Sequence, residues 1–314
     1  MKADMSPLAL EDIVCIRTFD TSEIVRRWKE NYEIDISSEL IAKKSQISLM
    51  QGEHSTIRFF TPLNIAGSDQ FYSEFHTHKL EHWGDEYYRK PRWEHREVLA
   101  GLSGDLRVLE VGCGSGAFLD ACKARKVEAV GVELNGASVA FTRRRGLDVF
   151  HGGISEFVAS DPAAFDVVCA FQVLEHVSDP LGFVNDALRT LKTGGRLVIA
   201  VPNNDSFLGS QDNLLDIPPH HMLQWSETSL RFLSEVLPVR VLRVRREPLS
   251  CVHRPGFESV QNHRIDVAFS HLPRKLRSLG KRTVQAVTRS PLRRLLTGQS
   301  IYIEFRKTNE STSS

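Results

Sequence analysis

A glycine-rich turn constrains the fold of this 314-residue chain more than any other feature. Residues 108–119 read VLEVGCGSGAFL, so that an apolar strand runs directly into Gly112, Gly114 and Gly116 and then into a helix. Glycine lets a backbone turn tightly and approach a ligand closely, and the first turn of a helix offers unpaired N–H groups. The segment therefore predicts a strand–turn–helix unit with a nucleotide-like ligand at the turn.

The chain after residue 105 repeats this alternation of strand and helix. Short β-branched runs alternate with stretches of helical period, which is typical of a parallel sheet with helices on both faces. The predicted strands are 106–111, 127–132, 147–150, 165–170, 195–201, 239–245 and 300–306. The predicted helices are 116–126, 136–145, 180–191 and about 226–237. We expect Gly194-Gly195 to end the third helix, and the whole pattern indicates an α/β fold with a doubly wound sheet.

The two ends of the chain differ from this pattern. Residues 1–91 are rich in aromatic side chains and are expected to form a packed N-terminal extension, or lid, ahead of a cofactor-binding core at 92–246. Residues 247–299 are expected to form a basic, helical insertion. The final strand and a disordered tail are expected at 300–314, which completes four predicted regions.

Charge is divided unevenly along the chain. Residues 1–239 hold 24 basic and 34 acidic side chains, whereas 240–314 hold 16 and 5, so a net charge of +1 conceals two regions of opposite sign. Residues 272–294 place apolar side chains on roughly one helical face among the cations. This segment has three interpretations, namely a solvated helix face, a surface for acidic lipids, or a site for an anionic substrate or protein partner. Nucleic acid is not expected, because the segment has no aromatic side chains for base stacking.

The sequence also bears on the compartment. No run of 18 apolar residues occurs, and the first 30 residues contain several charges, so we expect neither a membrane span nor a signal peptide. Five cysteines are scattered without a C-x-x-C pair, which argues against disulfides and a structural zinc site. We therefore expect a cytoplasmic protein with reduced thiols.

Two acidic residues distinguish between nucleotide ligands. The glycines also satisfy the dinucleotide fingerprint, and Glu133, 21 residues after Gly112, suits the ribose of either ligand. Glu110 lies two residues before the first glycine, where a carboxylate would repel a pyrophosphate but attract an ammonium and a sulfonium. This charge pattern favours S-adenosyl-L-methionine over a nicotinamide cofactor. The structural alternative makes Glu110 an edge carboxylate and Glu133 a helix cap.

Four segments resemble the successive motifs of class I S-adenosylmethionine-dependent methyltransferases. They read VLEVGCGSG at 108–116, VGVELN at 130–135, FDVVCAFQVLEHVSDP at 165–180 and LKTGGRLVIAVPN at 191–203. The resemblance implies a Rossmann-like, seven-stranded, mostly parallel sheet whose last strand is antiparallel. PPHHMLQWS at 218–226 and the YY-x-x-x-x-WEH segment that ends at His95 are similar to small-molecule methyltransferases of glycan, quinone or secondary-metabolite pathways.

The resemblance also implies which residues hold S-adenosylmethionine. The residues around its methionine part would be Glu110, Gly112, Cys113, Gly114 and Gly116. Glu133 would bind the ribose, and Leu134, Gly153 and Ile154 would lie near the adenine. The polar partner of the adenine stays open between the backbone and the side chains of Ser155 and Glu156.

The loop after the fourth strand is expected to face the sulfonium, which places Phe171, Gln172 and His176 at the methyl group. His176 is the first candidate for a general base, and His220 with His221 forms a second candidate. Each histidine has a structural alternative as a helix or turn cap. Some quinone-pathway relatives hold a metal through an E-x-x-E-H pattern, but Gln172 replaces the first acid here, so no metal is expected.

We therefore expect a methyltransferase that acts on a small-molecule acceptor in glycan, lipid or secondary-metabolite biosynthesis. Oxygen is favoured over nitrogen or carbon as the acceptor atom because histidines line the predicted site. The alternatives are a nicotinamide-dependent oxidoreductase and a non-catalytic, methyltransferase-like partner subunit. The identity of the acceptor and the oligomeric state stay open.

Overall fold

A computed structural model describes residues 12–40, 44–83, 91–160, 165–210 and 213–309. Its strands are β1 (Ile13–Asp20), β2 (Gln46–Gly52), β3 (Arg58–Thr61), β4 (Arg107–Val111), β5 (Glu128–Glu133), β6 (Asp148–His151), β7 (Phe165–Phe171), β8 (Leu191–Pro202), β9 (Leu223–Gln224), β10 (Val239–Pro248) and β11 (Thr297–Lys307). Its helices are α1 (Thr21–Tyr32), α2 (Asp69–Trp83), α3 (Trp93–Leu99), α4 (Ala117–Ala124), α5 (Gly136–Arg144), α6 (Ile154–Ser160), α7 (Pro180–Thr190), α8 (Glu227–Val236), α9 (Arg254–Ala268) and α10 (Arg274–Arg289).

The larger sheet has seven strands in the order β10-β11-β8-β7-β4-β5-β6. The strand pairs among β4 to β8 are parallel, whereas β11 is antiparallel to both β8 and β10. The central strand β7 is buried along nearly its whole length, which explains why its sequence is a continuous apolar run. The predicted fold class, a doubly wound and mostly parallel sheet with an antiparallel last strand, is confirmed.

The order of strands creates a crevice beside β4. The chain passes from β4 to β5 and β6 on one side and then crosses to β7 on the other, so the strand order reverses between β4 and β7. Ligands of such sheets bind at the carboxyl ends of the strands where this reversal occurs. The glycine turn follows β4 and the loop that contains His176 follows β7, so both meet at this crevice.

The helix before β8 ends differently from our prediction. It begins as expected, with Asp179 accepting a hydrogen bond from the Gly182 N–H at 2.9 Å. It ends at Thr190, because Leu191 is already extended and begins β8. Gly194 does have a positive φ of 73°, but it lies within β8 and does not cap the helix. Helix α6 was not predicted, since its seven residues are too short to show a period.

The N-terminal region forms a second sheet, in the order β1-β2-β3-β9. Its last strand comes from the core, since β9 pairs antiparallel with β3 through Phe59 and Leu223. Trp28 of α1 is fully buried and contacts the rings of Phe71 and Phe75 on α2. The aromatic residues of this region therefore form a core, and the boundary at residue 91 stays a prediction. The tyrosines of the YY-x-x-x-x-WEH segment lie outside the described residues, as does 310–314 of the expected tail.

Two helices occupy the basic region before β11. α9 and α10 form a hairpin in which Asp266 accepts hydrogen bonds from Arg277 at 2.9 Å and Lys281 at 2.6 Å. Among the described residues, no helix is both long and apolar enough to cross a bilayer. The limits at 246 and 299 stay predictions.

Candidate active site

A cavity of about 320 Å³ opens at the carboxyl ends of β4 and β7. Val111, at the end of β4, pairs with Val132 of β5 on one side and Ala170 of β7 on the other, so the turns after these strands converge there. The predicted cofactor residues that line this cavity are Glu110, Gly112, Cys113, Gly114, Phe171 and Gln172. The predicted catalytic residues His176, His220 and His221 line the same cavity. Two groups that are distant in sequence therefore share one site.

The three glycines of the turn differ in what they require. All three have a positive φ, between 50° and 75°. A Cβ at Gly112 would lie 2.4 Å from Cγ2 of Val173, and one at Gly116 would lie 2.8 Å from Thr142 and Leu147. A Cβ at Gly114 would meet no atom within 4 Å, so this glycine faces open space and lines the cavity. Gly112 and Gly116 thus permit close packing, whereas Gly114 shapes the floor of the site.

Glu110 is a buried acid in the lining of the cavity. Its side chain is only 3% exposed, and its Oε2 accepts no hydrogen bond among the described residues. Burial, and then the charge of Glu133, raises the pKa of this carboxyl well above its usual value. A buried carboxyl that lines a cavity is stabilised by a cationic donor from a ligand. The ammonium group of S-adenosylmethionine meets this requirement, so the residues present fit that cofactor.

Glu133 anchors the glycine turn. Its Oε2 accepts a hydrogen bond from the Gly114 N–H at 2.8 Å, and its Oε1 accepts one from the Asn135 N–H at 2.7 Å. Each oxygen keeps a second lone pair, so a ribose hydroxyl remains an additional possible donor. The side chain is beside the cavity and does not line it, and its role at the ribose stays a prediction.

The residues predicted near the adenine adjoin one another beyond Glu133. Leu134 is 70% exposed, and a Cβ built on Gly153 would lie 3.9 Å from Cδ2 of Leu134. Ile154 instead buries its side chain in the core, so it can offer only its backbone to a ligand. Glu156 already accepts a hydrogen bond from the Gly153 N–H at 2.8 Å. The predicted cofactor residues that lie outside the cavity lining are Gly116, Leu134, Gly153 and Ile154.

The three histidines form a cluster within the same cavity lining. The ring centroids of His176 lie 4.9 Å from those of His220 and His221, and the latter two rings stack at 4.4 Å. Nδ1 of His176 donates to the carbonyl of His220 at 2.6 Å. Nδ1 of His220 donates to the carbonyl of Leu215 at 2.8 Å, and Nδ1 of His221 lies 3.2 Å from Oδ1 of Asp216. These contacts place the proton on Nδ1 and leave the Nε2 lone pairs available.

Burial keeps these imidazoles neutral. It lowers the pKa of His176 to about 4. It also lowers the pKa of His220 and His221 well below the usual value, and neighbouring histidines add to the effect. At neutral pH the cluster therefore presents uncharged nitrogen acceptors to the cavity.

Comparison with known proteins agrees with this geometry. The sequence profile of the family described as "Methyltransferase domain" matches residues 80–236, which is half of the chain. The chain belongs to this methyltransferase family. The predicted membership in class I S-adenosylmethionine-dependent methyltransferases is thus confirmed, and S-adenosyl-L-methionine is the cofactor of this class.

Two curated relatives show how far the similarity extends. A probable S-adenosylmethionine-dependent methyltransferase of Mycolicibacterium smegmatis is 38% identical over 132 residues, which cover 41% of this chain and 49% of that protein. The ubiquinone biosynthesis O-methyltransferase of Alkalilimnicola ehrlichii is 29% identical over 143 residues, which cover 42% and 57%. The chain therefore spans about half the length of the curated relatives it matches.

A solved structure supports the fold. The crystal structure of a SAM-dependent methyltransferase from Archaeoglobus fulgidus aligns with a TM-score of 0.52 and 20% identity. The alignment covers 74% of this chain and 99% of that one. At this identity the match shows the shared methyltransferase fold alone.

The sequence did not reveal two residues of this methyltransferase site. Glu175 received no role of its own from the sequence, yet it is 1% exposed, lines the cavity and has no partner for Oε2 among the described residues. Burial raises the pKa of Glu175 to about 8. Tyr72 of α2 lies with its hydroxyl 3.3 Å from Nδ1 of His176 and 3.1 Å from the carbonyl of His220. Its place depends on how the extension folds, which no local motif indicates.

Proposed function

We propose that this chain transfers a methyl group from S-adenosylmethionine to an oxygen atom of a small-molecule acceptor. The observation that carries the proposal is a single cavity lined both by the buried acid Glu110, whose Oε2 has no partner among the described residues, and by three neutral histidines. We call the Glu110 part of this lining the cofactor end and the histidine part the acceptor end. When bound, S-adenosylmethionine supplies a methyl group on a positively charged sulfur and becomes a neutral thioether once that methyl group is transferred. The description of one relative as an O-methyltransferase supports oxygen as the acceptor atom.

The cofactor end of the cavity would bind by charge and shape. Glu110 would accept hydrogen bonds from the ammonium group, and the open space at Gly114 would admit the amino-acid part without a clash. Glu133 would contact the ribose, and the backbone at Gly153 would lie at the adenine beside Leu134. The nicotinamide alternative is disfavoured because Glu110 would repel a pyrophosphate in the same cradle.

The acceptor end would orient a hydroxyl group and receive its proton. Nε2 of His176 is a neutral acceptor whose ring is held by the carbonyl of His220 and the hydroxyl of Tyr72. A base placed in this way contributes about 10²–10⁴-fold to rate, and holding the reactants together contributes more. Phe171 and Gln172 would lie between this end and the sulfur. A non-catalytic partner subunit is disfavoured because the cavity has both an acid for the cofactor, Glu110, and a candidate base for the acceptor, His176.

Calorimetry and acceptor screening test the proposal together. Titrations with S-adenosylmethionine, S-adenosylhomocysteine and NAD should give binding heat for the first two alone. A screen of hydroxylated glycans, lipids and phenols by mass spectrometry should then show a gain of one methyl group on oxygen. Heat with NAD alone would overturn the cofactor assignment, and methylation confined to nitrogen or carbon would overturn the acceptor assignment.

We further propose that residues 272–294 contact an anionic lipid surface. Exposed apolar side chains cluster in and around the α9–α10 hairpin, namely Val267, Phe269, Leu276, Leu279, Leu292 and Leu295. Exposed cations lie among them at Arg274, Lys275, Arg282, Arg289 and Arg294. Aliphatic side chains flanked by cations match the chemistry of an acidic bilayer surface.

Vesicle sedimentation tests this contact. The chain should bind vesicles of phosphatidylcholine mixed with phosphatidylglycerol, and it should bind phosphatidylcholine alone weakly. The double substitution Leu276→Ser/Leu279→Ser should weaken binding by about tenfold, because each leucine contributes apolar area. Ile13→Ser/Ile16→Ser, at two exposed positions of β1, is the matched control and should leave binding unchanged. Equal binding to both vesicle types would contradict the proposal.

A further inference from the structure

We propose that His176, His220 and His221 together bind one divalent transition-metal ion. Each ring offers one nitrogen, and the three nitrogens lie within 4.8 Å of one another. In a tetrahedral site with metal–nitrogen bonds of about 2.0–2.1 Å, the ligand nitrogens are about 3.4 Å apart. To close around an ion, the nitrogens would have to approach one another by up to about 1.4 Å.

The hydrogen bonds of the cluster have the arrangement that metal sites require. A ligating histidine usually donates its other ring N–H to a carbonyl or a carboxylate, which fixes the ring and its tautomer. Here Nδ1 of His176 and His220 donates to backbone carbonyls, and Nδ1 of His221 faces Asp216. All three rings thus use Nδ1 for the protein and keep Nε2 for a ligand.

The cavity lining places one acid, Glu175, and one cation, Lys79, beside the rings. Neutral imidazole is the form that binds metal, and the hydrogen bonds from Nδ1 to two carbonyls give His176 and His220 the tautomer whose Nε2 holds a lone pair for a ligand. Oε1 of Glu175 lies 4.0 Å from Nε2 of His176, and its Oε2 has no partner among the described residues. A cation held by the three rings would favour the carboxylate form of this acid over its protonated form.

This ligand set differs from the acid pair that we considered in the sequence. Gln172, which replaces the first acid, directs its amide toward Oγ of Ser300 at 3.5 Å. The nitrogen ligands come instead from the loop at 215–221, whose position depends on the tertiary fold. The expectation that no metal binds rested on Gln172 and on the scattered cysteines, and it did not include this loop.

The role of the ion rests on the proposed function, although its binding does not. A metal at this end of the cavity would bind the hydroxyl oxygen of the acceptor and lower the pKa of that hydroxyl. With the ion bound, His176 would act as a ligand in place of the base role that it has in the metal-free enzyme, and the hydroxyl proton would pass to the carboxylate of Glu175. The acceptor class would then be one whose oxygen coordinates a divalent ion, such as a phenol with a neighbouring oxygen.

Cobalt titration tests the site directly. The full chain, freed of metal with a chelator, should bind one Co²⁺ and develop the visible absorption of cobalt bound by imidazole nitrogen. His220→Ala/His221→Ala should lose this absorption and weaken binding by at least about tenfold. The matched control is His78→Ala/His82→Ala, which removes the stacked pair of rings on α2 and should leave the spectrum unchanged.

The outcomes separate binding, folding and function. Each variant is first titrated with S-adenosylhomocysteine, and retained affinity shows that the fold is intact. Asp216→Asn, a milder change that keeps all three rings, should weaken Co²⁺ binding and thereby covers a failure of the double variant to fold. No stoichiometric binding, or binding lost only in His78→Ala/His82→Ala, would overturn the metal site. Methyl transfer at full rate in chelator would overturn the role of the ion while the proposed function stands. Co²⁺ binding without methyl transfer to any screened acceptor would overturn the proposed function and leave the metal site standing.

Discussion

The two ends of the cavity are built from different parts of the chain. The cofactor end comes from one strand–turn–helix–strand unit, since Glu110, the glycines and Glu133 all lie between β4 and β5. The acceptor end combines α2, the loop after β7 and the loop at 215–221. The residues of the cofactor end are close together in the sequence, so a local motif can reveal them. The residues of the acceptor end are brought together only by the tertiary fold. Four substitutions or conditions test this division.

The largest effect is expected at the acceptor end. His176→Ala should lower kcat by about 10²–10⁴-fold, because our proposal makes its nitrogen the base that faces the acceptor. Affinity for S-adenosylhomocysteine should stay unchanged, since the proposal assigns cofactor binding to other residues. Steady-state kinetics and calorimetry check the two halves of this statement. His54→Ala, an exposed histidine beside Glu235, is the control for the loss of an imidazole. A fall in cofactor affinity with His176→Ala would show that the two ends of the cavity do not act separately.

The glycine turn should respond unequally to the same small change. Gly112→Ala should destabilise the fold by about 2–4 kcal/mol, because the new Cβ would be 2.4 Å from Val173 in addition to the strain of a positive φ. Gly114→Ala is the matched control and should lose only about 1 kcal/mol, because it faces open space. Denaturant unfolding of both variants measures the difference, and equal losses would show that packing does not distinguish the two glycines.

A neutral isostere tests the charge at the cofactor end. Glu110→Gln keeps the volume but removes the anion, so affinity for S-adenosylhomocysteine should fall by about 1.5–3 kcal/mol. Calorimetry gives the affinity directly. The far-ultraviolet circular dichroism spectrum, which reports the secondary structure, should be unchanged. An unchanged affinity would show that the negative charge of Glu110 does not contribute to binding of the ammonium group.

The smallest effect is a pH dependence of cofactor binding. Burial raises the pKa of Glu110, so the free protein holds a proton on this group at pH values where the carboxylate usually forms. An ammonium ligand favours the carboxylate, and binding therefore releases a proton. Affinity should rise with pH below the raised pKa, by at most about tenfold per pH unit. Binding heats in buffers of different ionisation enthalpy report this proton, and Glu110→Gln should abolish the dependence.

The cofactor end could be predicted from the sequence because its signals are local. Strand periodicity, glycine spacing and the positions of Glu110 and Glu133 all lie within 26 residues. The structure adds that Glu133 also holds the Gly114 N–H, which depends on side-chain orientation and not on spacing. Helix α6 and the end of α7 were not predicted well, because short helices and non-glycine ends leave weak patterns.

The acceptor end could be predicted only as a list of histidines. Sequence placed His176, His220 and His221 as candidates, but their mutual distances follow from long-range contacts. The carbonyl of Glu175 accepts the N–H groups of Met222 and Leu223 at 2.8 and 3.0 Å, which brings two loops together. Neither this contact nor the position of Tyr72 beside His176 can be predicted from the local sequence.

The strand β9 has a consequence for protein engineering. The segment at 218–225 pairs with β3, and its Pro219 and Met222 carbonyls accept hydrogen bonds from Gly67 and Phe60 of the extension at 2.8 and 3.0 Å. It is therefore bound to the N-terminal region at several points, although it lies far from it in sequence. A chimera that exchanges the extension for that of another enzyme would have to move this segment as well. The two junctions of such a chimera would lie before and after the segment that contains His220 and His221, and the glycine turn would stay unchanged.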